Sequence, residues 1–224
     1  NGLVNLQTTD AKYLDGPMVN YGEVIWTGGT LYVRNNNGSN LGSIVNLGLW
    51  QMQGDVGLNQ WHITPSEVFV NGGTFRKASG SGIGSVSVLL LNEFGSVEVQ
   101  SGILRFDRSI ALDGLFITAP GTAIQFNNGT FSYTSLTRLM GAGQYQLTGG
   151  TLQGLPDFLP NLQLLGGSVV LSPTFQTNGT IARLDLNGSS LAGSNYVVGV
   201  LNWNSGSILG PVTIASNAVL NWRD

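Results

Sequence analysis

Val200-Leu201-Asn202-Trp203 returns nineteen residues later as Val219-Leu220-Asn221-Trp222, two residues before the last residue given. A short apolar alternation recurring at that distance marks a chain of stacked units, each burying its apolar side on the next. Working outward, the same kind of phrase is written many times. Thr27-Gly28-Gly29-Thr30-Leu31-Tyr32-Val33, Asn71-Gly72-Gly73-Thr74-Phe75, Asn127-Asn128-Gly129-Thr130-Phe131, Thr148-Gly149-Gly150-Thr151-Leu152 and Asn178-Gly179-Thr180-Ile181 are examples. Each opens on Gly or Asn, which tolerate positive φ at a tight corner, and continues through a hydroxyl residue into a period-two alternation.

Each phrase is therefore a corner followed by a strand. Many spacings lie near twenty residues, which suits one coil of a β-solenoid with loops of varying length. In Ser96-Val97-Glu98-Val99-Gln100 and Ile103-Leu104-Arg105-Phe106-Asp107, the alternation puts Val97, Val99, Leu104 and Phe106 on one face. Glu98, Gln100, Arg105 and Asp107 point the other way. The expectation is an all-β, single-stranded parallel β-helix of about ten irregular coils with essentially no α-helix. An antiparallel β-sandwich, whose hairpins also give short strands at close spacing, is the alternative. Residues 1–224 are read as one solenoid domain without closed caps. The Asn-rich Arg34–Ser43 and the proline-bearing Leu155–Pro160 leave the stack as loops.

Composition removes several classes of function. Charged residues are only 9% of the chain and the net charge is −3 with no basic cluster, so nothing is present to neutralise a nucleic acid or an anionic membrane. No apolar run approaches a membrane span; the longest, Val86–Leu91, is interrupted by Ser87. Cysteine is absent, which excludes disulfides, a thiolate nucleophile and Cys-ligated metal. The chain begins at Asn1 rather than Met, which allows for a removed signal peptide or a fragment of a longer protein.

Phe69-Val70-Asn71-Gly72-Gly73-Thr74-Phe75-Arg76-Lys77-Ala78-Ser79-Gly80-Ser81-Gly82, with Leu91-Asn92-Glu93-Phe94-Gly95-Ser96-Val97-Glu98-Val99-Gln100-Ser101-Gly102, resembles a known repeat style. It is that of the Gly/Asn/Thr-rich β-solenoid repeats of large bacterial secreted or surface proteins, among them autotransporter passenger and filamentous adhesin segments. The resemblance implies an extracellular or cell-surface location and a structural role. It carries no catalytic residue to transfer.

Catalytic candidates are few. His62 is the only histidine, and Trp61-His62-Ile63-Thr64-Pro65 holds no nucleophile elbow. Asp107 and Asp113 with Arg105 and Arg108, or Glu93 with Glu98, are the carboxylates a β-helix polysaccharide lyase or hydrolase would use. Arg105 and Asp107 also suit a plain surface ion pair. Asp10 and Asp15 lack the Gly-Asp repeats of calcium-binding β-rolls. The chain is accordingly read as non-enzymatic, with no cofactor and no metal.

Binding surfaces are better represented. Trp50 and Trp61 bracket a less regular stretch and are read as an exposed aromatic pair for a glycan, with Tyr32, Tyr133 and Tyr145 as further platforms. Leu201 with Trp203, and Leu220 with Trp222, share strand faces and suit an internal or interfacial stack. Leu220 and Trp222 at one end, and Leu3 and Val4 at the other, are the candidate end-to-end assembly surface. Asn37, Asn128, Asn178 and Asn187 open Asn-Gly-Ser/Thr sequons, which turn chemistry alone also generates. Corner asparagines can instead form side-chain amide ladders along the stack.

The function expected is a structural extracellular β-solenoid. It is either a segment of a bacterial surface fibre or a subunit that self-associates by end-to-end stacking into a filament. The alternative is a glycan-binding adhesin domain contacting polysaccharide, with a polysaccharide-degrading enzyme behind it.

Overall fold

The structure, a computed structural model, describes residues 2–223. The chain is a parallel β-solenoid of about ten turns. The corner-and-strand reading explains it: each Gly or Asn corner redirects a strand too short to carry its own core, and the strand finds its partners one coil away. The first face stacks Leu3–Leu6, Glu23–Trp26, Leu49–Gln53, Thr74–Ser79, Ser96–Val99, Leu115–Thr118 and Arg138–Gly141 in chain order. The second stacks Lys12–Leu14, Thr30–Val33, Gly57–Gln60, Ile83–Val86, Ile103–Phe106, Ala123–Phe126, Gln144–Leu147 and Leu162–Leu164. A third face is split into a four-stranded sheet running from Pro17–Asn20 to Leu89–Leu91 and a five-stranded sheet running from Ile110–Ala111 to Ser190–Ala192.

Neighbouring strands are parallel along all three faces, so the antiparallel sandwich is excluded. Coil length runs from 16 residues between the paired Ile181 and Val197 to 28 between Gly57 and Ser85. Loops absorb most of this variation, and the register shifts within strands at bulges between Lys77 and Ser79, Gln153 and Leu155, Ile181 and Arg183, and Leu186 and Asn187. One 3-10 turn, Phe175–Thr177, is the only helical element among the described residues. No helix there is long and apolar enough to cross a membrane. The recurring tetrapeptide is a spatial repeat: Val200, Leu201, Asn202 and Trp203 sit in register under Val219, Leu220, Asn221 and Trp222.

Inward positions form one continuous core. Val97, Val99, Leu104 and Phe106 are buried, while Glu98, Arg105 and Asp107 lie on the outer side as their alternation requires. Phe106 and Phe126, in register on successive coils, stack with centroids 6.4 Å apart. Burial of aromatic and aliphatic side chains on both neighbours of every coil is the main stabilising term.

A polar spine runs inside the third face. Asn20 donates to Asn46 at 2.7 Å, Asn46 to Asn71 at 2.8 Å and Asn71 to Asn92 at 2.7 Å, and Asn92 donates to the Asp113 carbonyl at 2.6 Å. All four asparagines are buried. Their spare amide hydrogens reach corner carbonyls, such as those of Leu49, Thr74 and Ser96. The spine thus ties each corner to the strand it turns into, in a low-dielectric setting where satisfied amides reinforce one another.

Corners of another kind are tied by charge. Lys77 is fully buried, and its ammonium donates to Asp55 at 2.7 Å and to the carbonyls of Ser79 and Gly80. At Gly150, where φ is +66°, a Cβ would lie 2.3 Å from the Gly129 carbonyl oxygen of the coil below. Only glycine permits that approach.

Candidate functional site

The outer side of the second face starts with an aromatic platform. Lys12 and Leu14 pair with the inward Leu31 and Val33, so the intervening Tyr13 and Tyr32 share register and point outward. Their rings stack with centroids 5.6 Å apart and planes 14° apart. Trp61 follows Gly57–Gln60 and stands edge-on to both, at 5.5 and 5.1 Å. Tyr13 and Trp61 each leave about half their surface open, 49% and 48%. The Arg34 guanidinium lies 4.8 Å over Tyr13 and 5.9 Å from Trp61, a cation–π arrangement. Asp15 holds it through two bonds of 2.5 Å and accepts a third from Asn40 at 2.9 Å. The hydrogen bond from Arg34 keeps the Asp15 carboxyl below its ordinary range.

The loop that carries Trp61 is built around a buried carboxylate. Glu67 accepts the backbone N–H groups of His62 and Ile63 at 2.7 Å, of Asn35 and Trp61 at 3.1 Å, and of Thr64 at 3.4 Å. Four successive amides curl round one side chain, a nest for an anion. Burial pushes the Glu67 carboxyl up, but the N–H donors of His62, Asn35, Trp61 and Thr64 outweigh it and hold the group below 4.5. Ile63, at φ 59°, takes the left-handed conformation the nest requires. Glu67 therefore fixes Trp61 from below.

Farther along the same face, polar rows run along the axis at one strand spacing, about 4.8 Å. Tyr32 is in register with Asn59, while the glutamines stand in the adjacent row, that of Thr30, Gly57, Ser85 and Arg105. Gln125 donates to Gln146 at 2.9 Å, and Gln146 to Gln163 at 2.8 Å. In the neighbouring row, Ser87 donates to Asn59 at 3.1 Å and Asn127 to Asp107 at 2.7 Å. Arg105 and Asp107 form the ion pair that their spacing suggests, at 2.9 Å.

The expectation that Trp50 joins Trp61 as an exposed pair is corrected. Trp50 belongs to an inward row, in register with Val24 and Phe75, and is fully buried, its ring edge-on to Phe69 at 5.3 Å. Odd and even positions of a strand face opposite ways, and Leu49-Trp50-Gln51-Met52 puts tryptophan on the core side. Tyr145 is also buried, its hydroxyl donating to the Phe116 carbonyl at 2.7 Å and its pKa pushed up to about 12 by burial. Tyr133 packs against the core. Of the tyrosines singled out in the sequence, Tyr32 alone reaches the platform. Tyr13 and Arg34, which complete it, escaped sequence reasoning. So did Glu67, whose signal is only that a lone glutamate precedes a core strand.

The remaining candidates occupy structural contacts. Asp113 accepts from Thr134, Arg108 donates to Gln60 and the Thr64 carbonyl, and Glu98 pairs with Arg76 at 2.8 Å. His62 and Glu93 are exposed, and His62 is tied to Glu67 through its backbone. Among the described residues, no group of three or more His, Asp or Glu side chains is placed to hold a metal ion. The four sequon asparagines are exposed.

At the ends, inward residues lie uncovered. Trp222 stacks on Trp203 at 5.2 Å yet is 69% exposed, and Leu220 and Ile214 are 38% exposed. At the other end, Val4 and Leu6 pair with the inward Val24 and Trp26 and pack on the core, while Leu3 pairs with Glu23 on the outer side and forms the rim. Comparison with protein-family models, curated proteins and solved structures finds no match.

Proposed function

We propose that this chain is a non-enzymatic structural rod of an extracellular, bacterial surface fibre, continued at its ends by further coils of the same kind. These come from adjacent repeats of the parent chain or from a second copy stacked end to end. About ten turns at a strand spacing of about 4.8 Å give a rod near 50 Å long. The observation that supports the reading is apolar exposure on one coil: Ile214, Leu220 and Trp222 repeat the inward pattern of the coil they pair with, yet are 38%, 38% and 69% exposed. Edge strands with unpaired backbone groups and an apolar cross-section are templates for more strand. The ladders reinforce this, because Asn221 donates to Asn202 at 2.8 Å and its own oxygen is placed to accept from the next coil.

Hydrogen exchange combined with electron microscopy tests the reading. In dilute, isolated chain, amides of 3–6, 212–214 and 219–222 are expected to exchange far faster than those of 96–106. On concentration, rods of two or more chain lengths are expected, with the end amides becoming protected. A chain that stays as single rods and protects its end strands as well as its middle would contradict the proposal.

A further inference from the structure

We infer that the outer side of the second face binds a neutral, unbranched polysaccharide laid along the rod axis, one pyranose ring seating on Trp61, with Tyr13 and Tyr32 beside it. The platform is half open but held. The two tyrosines are fixed by parallel register, Trp61 by the Glu67 nest, and Arg34 by Asp15. Tyr13 and Tyr32 cover one face of each other and Arg34 lies over Tyr13, so the half-open Trp61 supplies the rigid π face, which suits the C–H side of a sugar ring and gives up little freedom on binding.

Polar side chains farther along the same face add the second argument. Successive coils lie about 4.8 Å apart, a step on the scale of one pyranose ring, so a contact made on one coil can be repeated on the next. Gln125 and Gln146 each use one amide hydrogen on the next coil, and a side-chain amide has a second to offer a sugar hydroxyl.

Charge chooses between polymers. Arg34 is matched by Asp15 and Arg105 by Asp107, and the glutamine row adds no charge. Arg108, beside the Trp61 loop, is held by Gln60 and the Thr64 carbonyl rather than by a carboxylate, so a polyanion finds these guanidiniums already engaged, while a neutral chain forfeits no ionic hydration in reaching them.

Affinity electrophoresis of the full chain tests this in gels containing hydroxyethylcellulose, xylan, β-1,3-glucan or glucomannan, with polygalacturonate as the charged control. At least one neutral polymer is expected to retard the protein. Trp61→Ala is expected to weaken that retardation by about tenfold or more, as removal of an aromatic anchor does. Gln125→Ala combined with Gln146→Ala is expected to weaken it severalfold. Both variants should keep the wild-type circular dichroism, and Trp222→Ala, at the end coil, should bind as wild type does. No retardation by any neutral polymer, equal retardation of Trp61→Ala and wild type, or retardation by polygalacturonate alone would overturn the inference. A rod that fails to stack still carries the whole face, so this result is independent of the end-coil experiment.

Discussion

Asn71→Ala is expected to lower the unfolding free energy by roughly 3–5 kcal/mol, from about 1 kcal/mol for each hydrogen bond lost plus the cost of an orphaned buried partner. Asn71 is buried, accepts from Asn46, and donates to Asn92 and to the Ser96 carbonyl. Alanine leaves the Asn92 oxygen without its donor, and the space is too enclosed for water to replace the amide freely. Asn46 is hurt less, because its amide nitrogen also reaches the Gly48 and Thr74 carbonyls. The internal comparison is Asn202→Ala, in the half-buried ladder of Asp185, Asn202 and Asn221. There the loss should stay under about 1.5 kcal/mol, because solvent can take over the freed groups. Urea denaturation of both variants reads the difference. Equal losses would mean that the buried spine does not tie corners to strands.

Glu67→Ala is expected to release the loop bearing Trp61 at a cost of roughly 3 kcal/mol, several amides losing a charged acceptor at once. Four of the donors belong to 61–64, which lie near the surface and can turn to water, so the release should be local. Amide exchange should therefore accelerate at 61–64 and Asn35 while 96–106 stays protected. The pH dependence has a definite sign. The folded Glu67 carboxyl lies below its ordinary 4.5, so its contribution is complete above that value and is lost as pH falls through the folded pKa. Protection of 61–64 in wild type should collapse on acidification. In Glu67→Gln the collapse should be absent, because protection is already low at neutral pH. Protection that ignores both the substitution and acid would show that the loop is held by something other than the nest.

The solenoid was legible because its local and global signals coincide. Gly-Gly-Thr and Asn-Gly-Thr corners fall one coil apart, and the alternations Val97-Glu98-Val99 and Leu104-Arg105-Phe106 say which side is inward. The Asn spine was half legible. Asn20-Tyr21-Gly22, Asn46-Leu47-Gly48 and Asn71-Gly72-Gly73 repeat one amide before a corner glycine, yet whether such an amide faces the core depends on coil register. Register also decided Trp50, which a reading based on its irregular neighbourhood placed outside. The platform was least legible. Tyr13, Tyr32 and Trp61 belong to three coils of unequal length, and their meeting depends on the loops of 34–43 and 61–67, whose shapes are set by Asp15 and Glu67 rather than by any periodicity.

Everything rests on parallel, in-register stacking, and the absence of native cysteine allows a direct chemical test. Gln125 and Gln146 are register partners on neighbouring coils, so Gln125→Cys with Gln146→Cys places two thiols one strand spacing apart, about 4.8 Å, within disulfide reach. Gln125→Cys with Gln163→Cys places them two spacings apart and out of reach. Mild oxidation of monomeric protein should close the first pair without changing its mass class and leave the second open. An open first pair, or a second pair that closes as readily, would contradict the stacked-coil account.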